Sequence, residues 1–296
     1  MPEHSGPEAT RSIGGTVLAM SVPTGAYRYP NERLVLVITM LLVLVVIAVT
    51  ASATLCLSAA FITVMVVISF LATRSHHRNV IAQAIPVTPQ TAPALARIVS
   101  DVGRRIRIGP YTVYVAPVRA LNAYTFGLVP PYTVVMYAGL LDHMDRDELR
   151  FIIGHELGHI HLGHTWLNSL VGGMAGIPSP FAASALLAVA FLWWNRMCEF
   201  SADRAGLLAC GNPDKAISAL VRLTQRVRDL SGEMDLEGAM RRVEQEDDHT
   251  MAGLAEVLST HPMTIRRIEK LRAYAQTPQY RRLQQRIHAH SGSISP

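Results

Sequence analysis

Charged side chains are scarce in this chain. Only 17% of its 296 residues are Asp, Glu, Lys or Arg, and none falls in residues 34–72. Soluble domains of ordinary composition carry about 25%, so a fold exposed to water on all sides is a poor fit. Cysteine is scarce as well: Cys56, Cys198 and Cys210 are the only three, and no two stand in C-x-x-C spacing. This excludes a disulfide framework or a structural zinc knuckle and suits a reducing compartment. The chain also lacks internal repeats and any glycine loop fit to cradle a phosphate. It is basic, with net charge +5 and pI near 9.3. Its basic residues are nevertheless spread out instead of forming a stripe with interleaved aromatics, which argues against a nucleic-acid partner. Attraction to anionic lipid at a membrane face accounts for them more simply.

What the chain has in quantity is apolar sequence. One membrane-spanning helix takes about 20 apolar residues, so 34–72 can hold two short ones, turning near Thr50, Ser52 and Thr54. A single long, kinked span is the competing arrangement. No cleavage-site pattern follows the run, which is unlike a removable leader. Arg28 and Arg33 flank its entry, Arg74 and Arg78 its exit, and no basic residue sits at the turn. The positive-inside rule then places both ends, and all that follows, in the cytoplasm. The absence of charge inside the spans disfavours a transporter. A second apolar stretch, 166–194, is broken by Gly172, Gly173, Gly176, Pro178 and Pro180. Three arrangements are open for it: a tight pair of spans, a re-entrant or interfacial hairpin, or buried helices of the following domain.

Between these stretches lies His155-Glu156-Leu157-Gly158-His159, an H-E-x-x-H motif. Asp145 with Glu148 has the pattern of a capping box, and Leu149, Ile152, Ile153, Leu157 and Ile160 give helical apolar spacing over 145–164. Residues four apart lie one above the other on a helix, so His155 and His159 can hold one metal ion. Glu156, about 100° round from His155, can reach a water beside it. Zinc suits imidazole ligands and an open position for water. The third ligand such a site needs is offered by Glu199, and Asp203, one helical turn on, can accept the outer N–H of a ligand histidine.

These motifs together resemble the integral-membrane zinc metallopeptidases of the HtpX type, which are related to the CAAX prenyl proteases. His155, Glu156 and His159 match the family's H-E-x-x-H, His164 a further histidine common after it, and Glu199 with Asp203 its E-x-x-x-D. Ser259-Thr260-His261-Pro262 with Arg267-Ile268 is similar to its late S/T-H-P…R-I segment, and Asn122-Ala123-Tyr124 to the element before its metal helix. The resemblance implies one Zn2+ held by His155, His159 and Glu199, with Glu156 as general base. It places His261 near the site as the candidate oxyanion partner. Asp203 and His164 would stand behind the ligands.

The expected fold is mainly α with a small β-sheet: an N-terminal transmembrane helical hairpin followed by a zincin-like metallopeptidase domain. The boundaries run 1–33 for a polar tail, 34–72 for the hairpin, 73–275 for the peptidase with 166–194 as an insertion, and 276–296 for a polar, basic tail. Within the peptidase, 93–107 and 213–230 read as helices, 111–115, 121–126 and 132–137 as strands, and acidic 231–248 as an exposed loop. The expected function is membrane-anchored peptide-bond hydrolysis on polypeptide substrates. Misfolded membrane proteins are the first substrate class considered, a single processed peptide or lipidated protein the second, and a non-enzymatic scaffold the third reading.

Overall fold

The structure is a computed structural model that describes residues 22–53, 57–171, 182–224 and 261–292. Among these residues the chain is mainly helical, with one mixed four-stranded sheet. Two long apolar helices come first, α1 (Glu32–Ala53) and α2 (Leu57–Ala82), in contact with each other. The centre of the expected turn, 54–56, lies outside the described residues. No helix breaker follows the apolar run, and α2 continues past it through Arg74 and Arg78. A short strand β1 (Ile85–Pro86) leads into α3 (Pro93–Ile106), which has Pro93 in its first turn where no N–H is missed. Leu95, Ile98, Val99, Val102 and Ile106 form its buried stripe.

Strands β2 (Tyr111–Ala116), β3 (Ala123–Phe126) and β4 (Tyr132–Tyr137) complete the sheet in the order β1-β2-β4-β3. Strand β2 runs parallel to β4, with Val113 opposite Val134, and β3 pairs antiparallel with β4, with Tyr124 opposite Val135. Strand β3 is therefore an edge, and it lies against α5 (Arg146–Leu162). The short helix α4 (Ala138–His143) joins sheet to α5.

Helix α5 starts where its sequence dictates. The Asp145 side chain accepts from the backbone N–H groups of Asp147 and Glu148, while Glu148 Oε2 accepts from Asp145 N at 2.9 Å. The other Glu148 oxygen accepts from Ser218 and Arg222 of α8 (Pro213–Thr224), so the cap also ties two helices together. Gly163, at φ 80°, ends α5 in the left-handed conformation glycine adopts without penalty.

Beyond α6 (Thr165–Val171), helix α7 (Ala182–Cys210) is one continuous rod of 29 residues. The apolar segment before Trp194 is thus not a separate helix but the first half of the one that carries Glu199 and Asp203. Residues 172–181, with the glycines and prolines of the insertion, lie outside the described residues. Helix α1 runs antiparallel to α7: Glu32 meets Ser201, and Thr39 donates to Ala190 O at 3.2 Å. Val35, Trp194 and Cys198 form a small apolar cluster between them. Past that contact α1 bares Leu41, Leu44 and Val49.

The acidic stretch 231–248 also lies outside the described residues. Two helices follow it, α9 (His261–Ala275) and α10 (Pro278–Gly292). The second occupies the segment expected as a polar tail. Its stripe of Tyr280, Leu283, Gln284 and Ile287 is buried, an i, i+3, i+4, i+7 pattern that the surrounding Arg and Gln residues conceal. The main core gathers Val102, Val134, Phe151, Leu207, Leu220 and Leu271 from sheet and helices alike.

Candidate metal centre

The site is built where α5 and α7 cross, and small residues allow the approach. A Cβ on Gly154 would stand 2.4 Å from Cβ of Ala209, and one on Gly158 would stand 2.6 Å from Cβ of Ala205. No real pair of carbons fits at those distances, so glycine is required if Glu199 and Asp203 on α7 are to reach the histidines on α5. Gly158→Val is expected to cost about 1–3 kcal/mol as overpacking, seen in denaturant melts. By moving Glu199 off the histidine pair it should also weaken metal binding.

His155 Nε2 and His159 Nε2 lie 3.2 Å apart. Glu199 places one carboxylate oxygen 3.4 Å from the former and the other 3.5 Å from the latter. A tetrahedral ion with bonds of about 2.0–2.1 Å sets its ligand atoms about 3.3–3.4 Å from one another. The two imidazole nitrogens stand at about that spacing, one carboxylate oxygen faces each, and ligand atoms of all three residues lie within 4.8 Å of one another; the two-imidazole, one-carboxylate set is a chemistry that zinc accepts. All three residues are buried or half-buried.

Charge around the three is arranged with care. Asp203, 2% exposed, takes the outer nitrogen of His155 at 3.0 Å. Arg267, from α9, donates to both oxygens of Asp203 at 2.8 and 2.6 Å and reaches Glu199 at 3.0 Å. Burial alone would raise the pKa of either carboxylate. The guanidinium overrides it and, with the histidine contacts, holds Asp203 below and Glu199 well below the ordinary range. Glu156 is buried and has no such bridge: burial raises its pKa, partly countered by His155 and His159. A carboxylate whose neutral form is favoured in this way is suited to take up and hand on a proton.

In the metal-free chain the same carboxylates keep a proton on His155. Burial opposes the charge, but hydrogen bonds and charge from Asp203 and Glu199 raise its pKa to about 10. Because the folded value lies above the unfolded one of about 6.5, this contribution to stability is complete below that pH and is lost as pH rises through 10. A cation must displace the proton. Metal uptake between those limits is therefore expected to release a proton from His155, measurable by titration calorimetry in two buffers of different ionisation enthalpy.

His164, read as standing behind the ligands, has Nδ1 3.0 Å from His159 Nδ1 and Nε2 3.1 Å from Glu32 Oε1. Neither Glu32 nor Arg267 stood out as a site residue in the sequence. Arg267 had a signal, in the R-I segment of the resemblance, whereas Glu32 had only its place at the start of an apolar run. His161 turns away from the metal ligands, its ring nitrogen 2.5 Å from the Tyr27 hydroxyl. His77 is half-buried and stacked on Phe126 with ring centroids 3.9 Å apart. Arg28, read as a basic residue flanking the apolar run, pairs with Glu32 and donates to Leu162 O at 2.9 Å. His261 opens α9, but the position of its side chain lies outside the described residues.

Comparison with known proteins agrees in extent with this architecture. Residues 89–275 match the family described as Peptidase family M48. The chain is 28% identical over 218 residues to a protease HtpX homolog of Gemmatimonas aurantiaca, covering 64% of this chain and 78% of the relative. It is 28% identical over 233 residues to one of Pyrococcus furiosus, covering 64% and 76%. To one of Ralstonia nicotianae it is 28% identical over 223 residues, covering 66% and 78%. No solved structure matches the chain.

Proposed function

From the premise that this chain belongs to peptidase family M48, as an HtpX-type metallopeptidase, we propose that it is a membrane-anchored zinc endopeptidase. The observation that carries the reading is the convergence of His155, His159 and Glu199, whose ligand atoms lie within 4.8 Å of one another. Those three hold the zinc. When bound, zinc acidifies a water to near neutrality and polarises the carbonyl under attack. Glu156 removes a proton from the attacking water and returns it to the nitrogen of the leaving amine. Asp203 holds His155 in the tautomer that frees Nε2, and Arg267 keeps both Asp203 and Glu199 ionised. His261 is assigned to the developing oxyanion, on the family resemblance alone.

Substrate enters as an extended segment along β3, an edge strand of the sheet among the described residues. Backbone hydrogen bonds to an edge strand hold a peptide with little demand on its sequence, which suits unfolded or misassembled membrane proteins as substrates. The membrane anchor consists of α1, joined by α2 as a hairpin and flanked by the apolar half of α7. Residues 32–49 of α1 have a mean hydropathy of 2.7 and are long and apolar enough to cross a membrane, and the uncharged residues 57–73 of α2 would supply the return crossing. Both ends of the hairpin, and the catalytic domain spanning 73–275 with it, lie on the cytoplasmic side, where Arg33, Arg74 and Arg78 remain to mark the flanks.

Detergent-purified chain should digest unfolded casein, lose that activity on chelation and regain it with zinc. Activity that survives complete metal removal would sink the proposal. A protein that holds zinc yet leaves casein intact would instead point to one narrow processing substrate.

A further inference from the structure

Glu32 is the first residue of α1, the apolar helix, and only 2% of it is exposed. Nothing in the peptide-cleaving scheme uses it. Its carboxylate is surrounded by donors: Arg28 and Ser201 both donate to it, and His164 Nε2 lies 3.1 Å from Oε1. Ser201 Oγ meanwhile accepts from Tyr29 N at 2.8 Å, and its one hydroxyl proton faces Glu32 and, at 3.2 Å, Met197 O, of which the carboxylate is the stronger acceptor. The other ring nitrogen of His164 is 3.0 Å from Nδ1 of His159.

The direction of each hydrogen bond in this chain is fixed by elementary chemistry. An ionised carboxylate only accepts, and a neutral imidazole carries one proton. Glu32 therefore draws the His164 proton to Nε2, making His164 Nδ1 an acceptor. That acceptor takes the Nδ1–H of His159, and His159 Nε2 is left with its lone pair facing His155 and Glu199. Once a cation has displaced the second proton of His155, Asp203 does the same for that ring in one step; on the other side the carboxylate acts at one remove, through a second imidazole.

Resting on the zinc reading above, we propose that Glu32 is a positioning residue for the metal ligand His159, acting through His164, so that the anchoring helix completes the metal centre. Helix α1 is then part of the catalytic unit as well as its tether. The competing use of these groups is a second metal site, since ligand atoms of Glu32, His164 and Cys198 lie within 4.8 Å of one another. The Arg28 guanidinium on the same carboxylate opposes a further cation there.

The test is zinc affinity and stoichiometry of the full chain in detergent, by chelator competition and metal analysis. Glu32→Leu should weaken zinc about 10- to 100-fold, the usual range for a residue behind a ligand. Glu32→Gln, whose amide oxygen still accepts, should recover most of the loss. Because Glu32→Leu strands Arg28, His164→Phe provides a second route: it leaves that ion pair intact and should weaken zinc to a similar degree. The double variant should lose little more than either single one, since both break one chain. Cys198→Ala, beside the chain but not in it, should bind one zinc as tightly as the wild type. Folded Glu32→Leu and His164→Phe variants with wild-type affinity would overturn the proposal. So would two zinc ions per wild-type chain falling to one in Cys198→Ala. If the wild type binds no zinc, the zinc peptidase reading fails first and this inference with it.

Discussion

Glu156→Gln is expected to abolish casein cleavage, lowering the rate by about 10²- to 10⁴-fold, the usual contribution of a positioned proton carrier. The fold and the bound metal should survive. Glutamine is nearly isosteric with glutamate, and the side chain is not one of the three converging donors. Burial already favours the neutral carboxyl at this position, so removing the charge strains nothing and relieves a desolvation cost. Wild-type and variant protein should therefore hold equal zinc and melt at similar temperatures, or the variant slightly higher, while only the wild type cuts. If the variant lost zinc as well as activity, Glu156 would have to be placed among the ligands.

Arg267→Met is the substitution with the largest expected effect on stability. The guanidinium bridges Asp203 and Glu199, both buried, with three contacts of 2.6–3.0 Å. Removing one partner of a buried ion pair costs about 3–5 kcal/mol, because the remaining charge is left without compensation. Here two carboxylates are left. The loss should be largest in the metal-free protein, since a bound cation would neutralise Glu199 in place of the arginine. Calorimetric melts with and without zinc check this: zinc should raise the melting temperature of the variant more than that of the wild type. Arg267→Lys should recover only part of the loss, because an ammonium cannot span both oxygens of Asp203 as the planar fork does. Equal melting of variant and wild type without metal would show that the bridge contributes little.

Both expectations depend on one packing fact. The histidines sit on α5, the carboxylates on α7 and the arginine on α9, and these helices meet only because glycine and alanine line the contact between α5 and α7. In sequence, Gly154 and Gly158 read as weak points of a helix. In the structure they are the reason that Glu199 lies 3.4 Å from His155.

The sequence by itself determined the elements whose local spacing is clear. Helix α5, its cap at Asp145 and the shared face of His155 and His159 follow from a 3.6-residue period, and the start of α3 follows from Pro93. Strand β2 was legible from alternation, β3 and β4 from the Gly/Pro turn between them, and the motif pairs brought the relevant carboxylates into view. Tertiary structure alone decided what depends on distance through space. It assigned Arg267 to the two carboxylates, took Arg28 from a membrane flank into an ion pair, and set the first residue of an apolar helix against His164. It also turned a polar C-terminal stretch into a packed helix, because four buried positions, one of them a glutamine, are too sparse among Arg, Gln and His to stand out in one dimension. The physical reason is common to all of these. Periodicity reports which face of an element is apolar, but a buried charge is placed by its partners, and those lie on other elements far away in the chain.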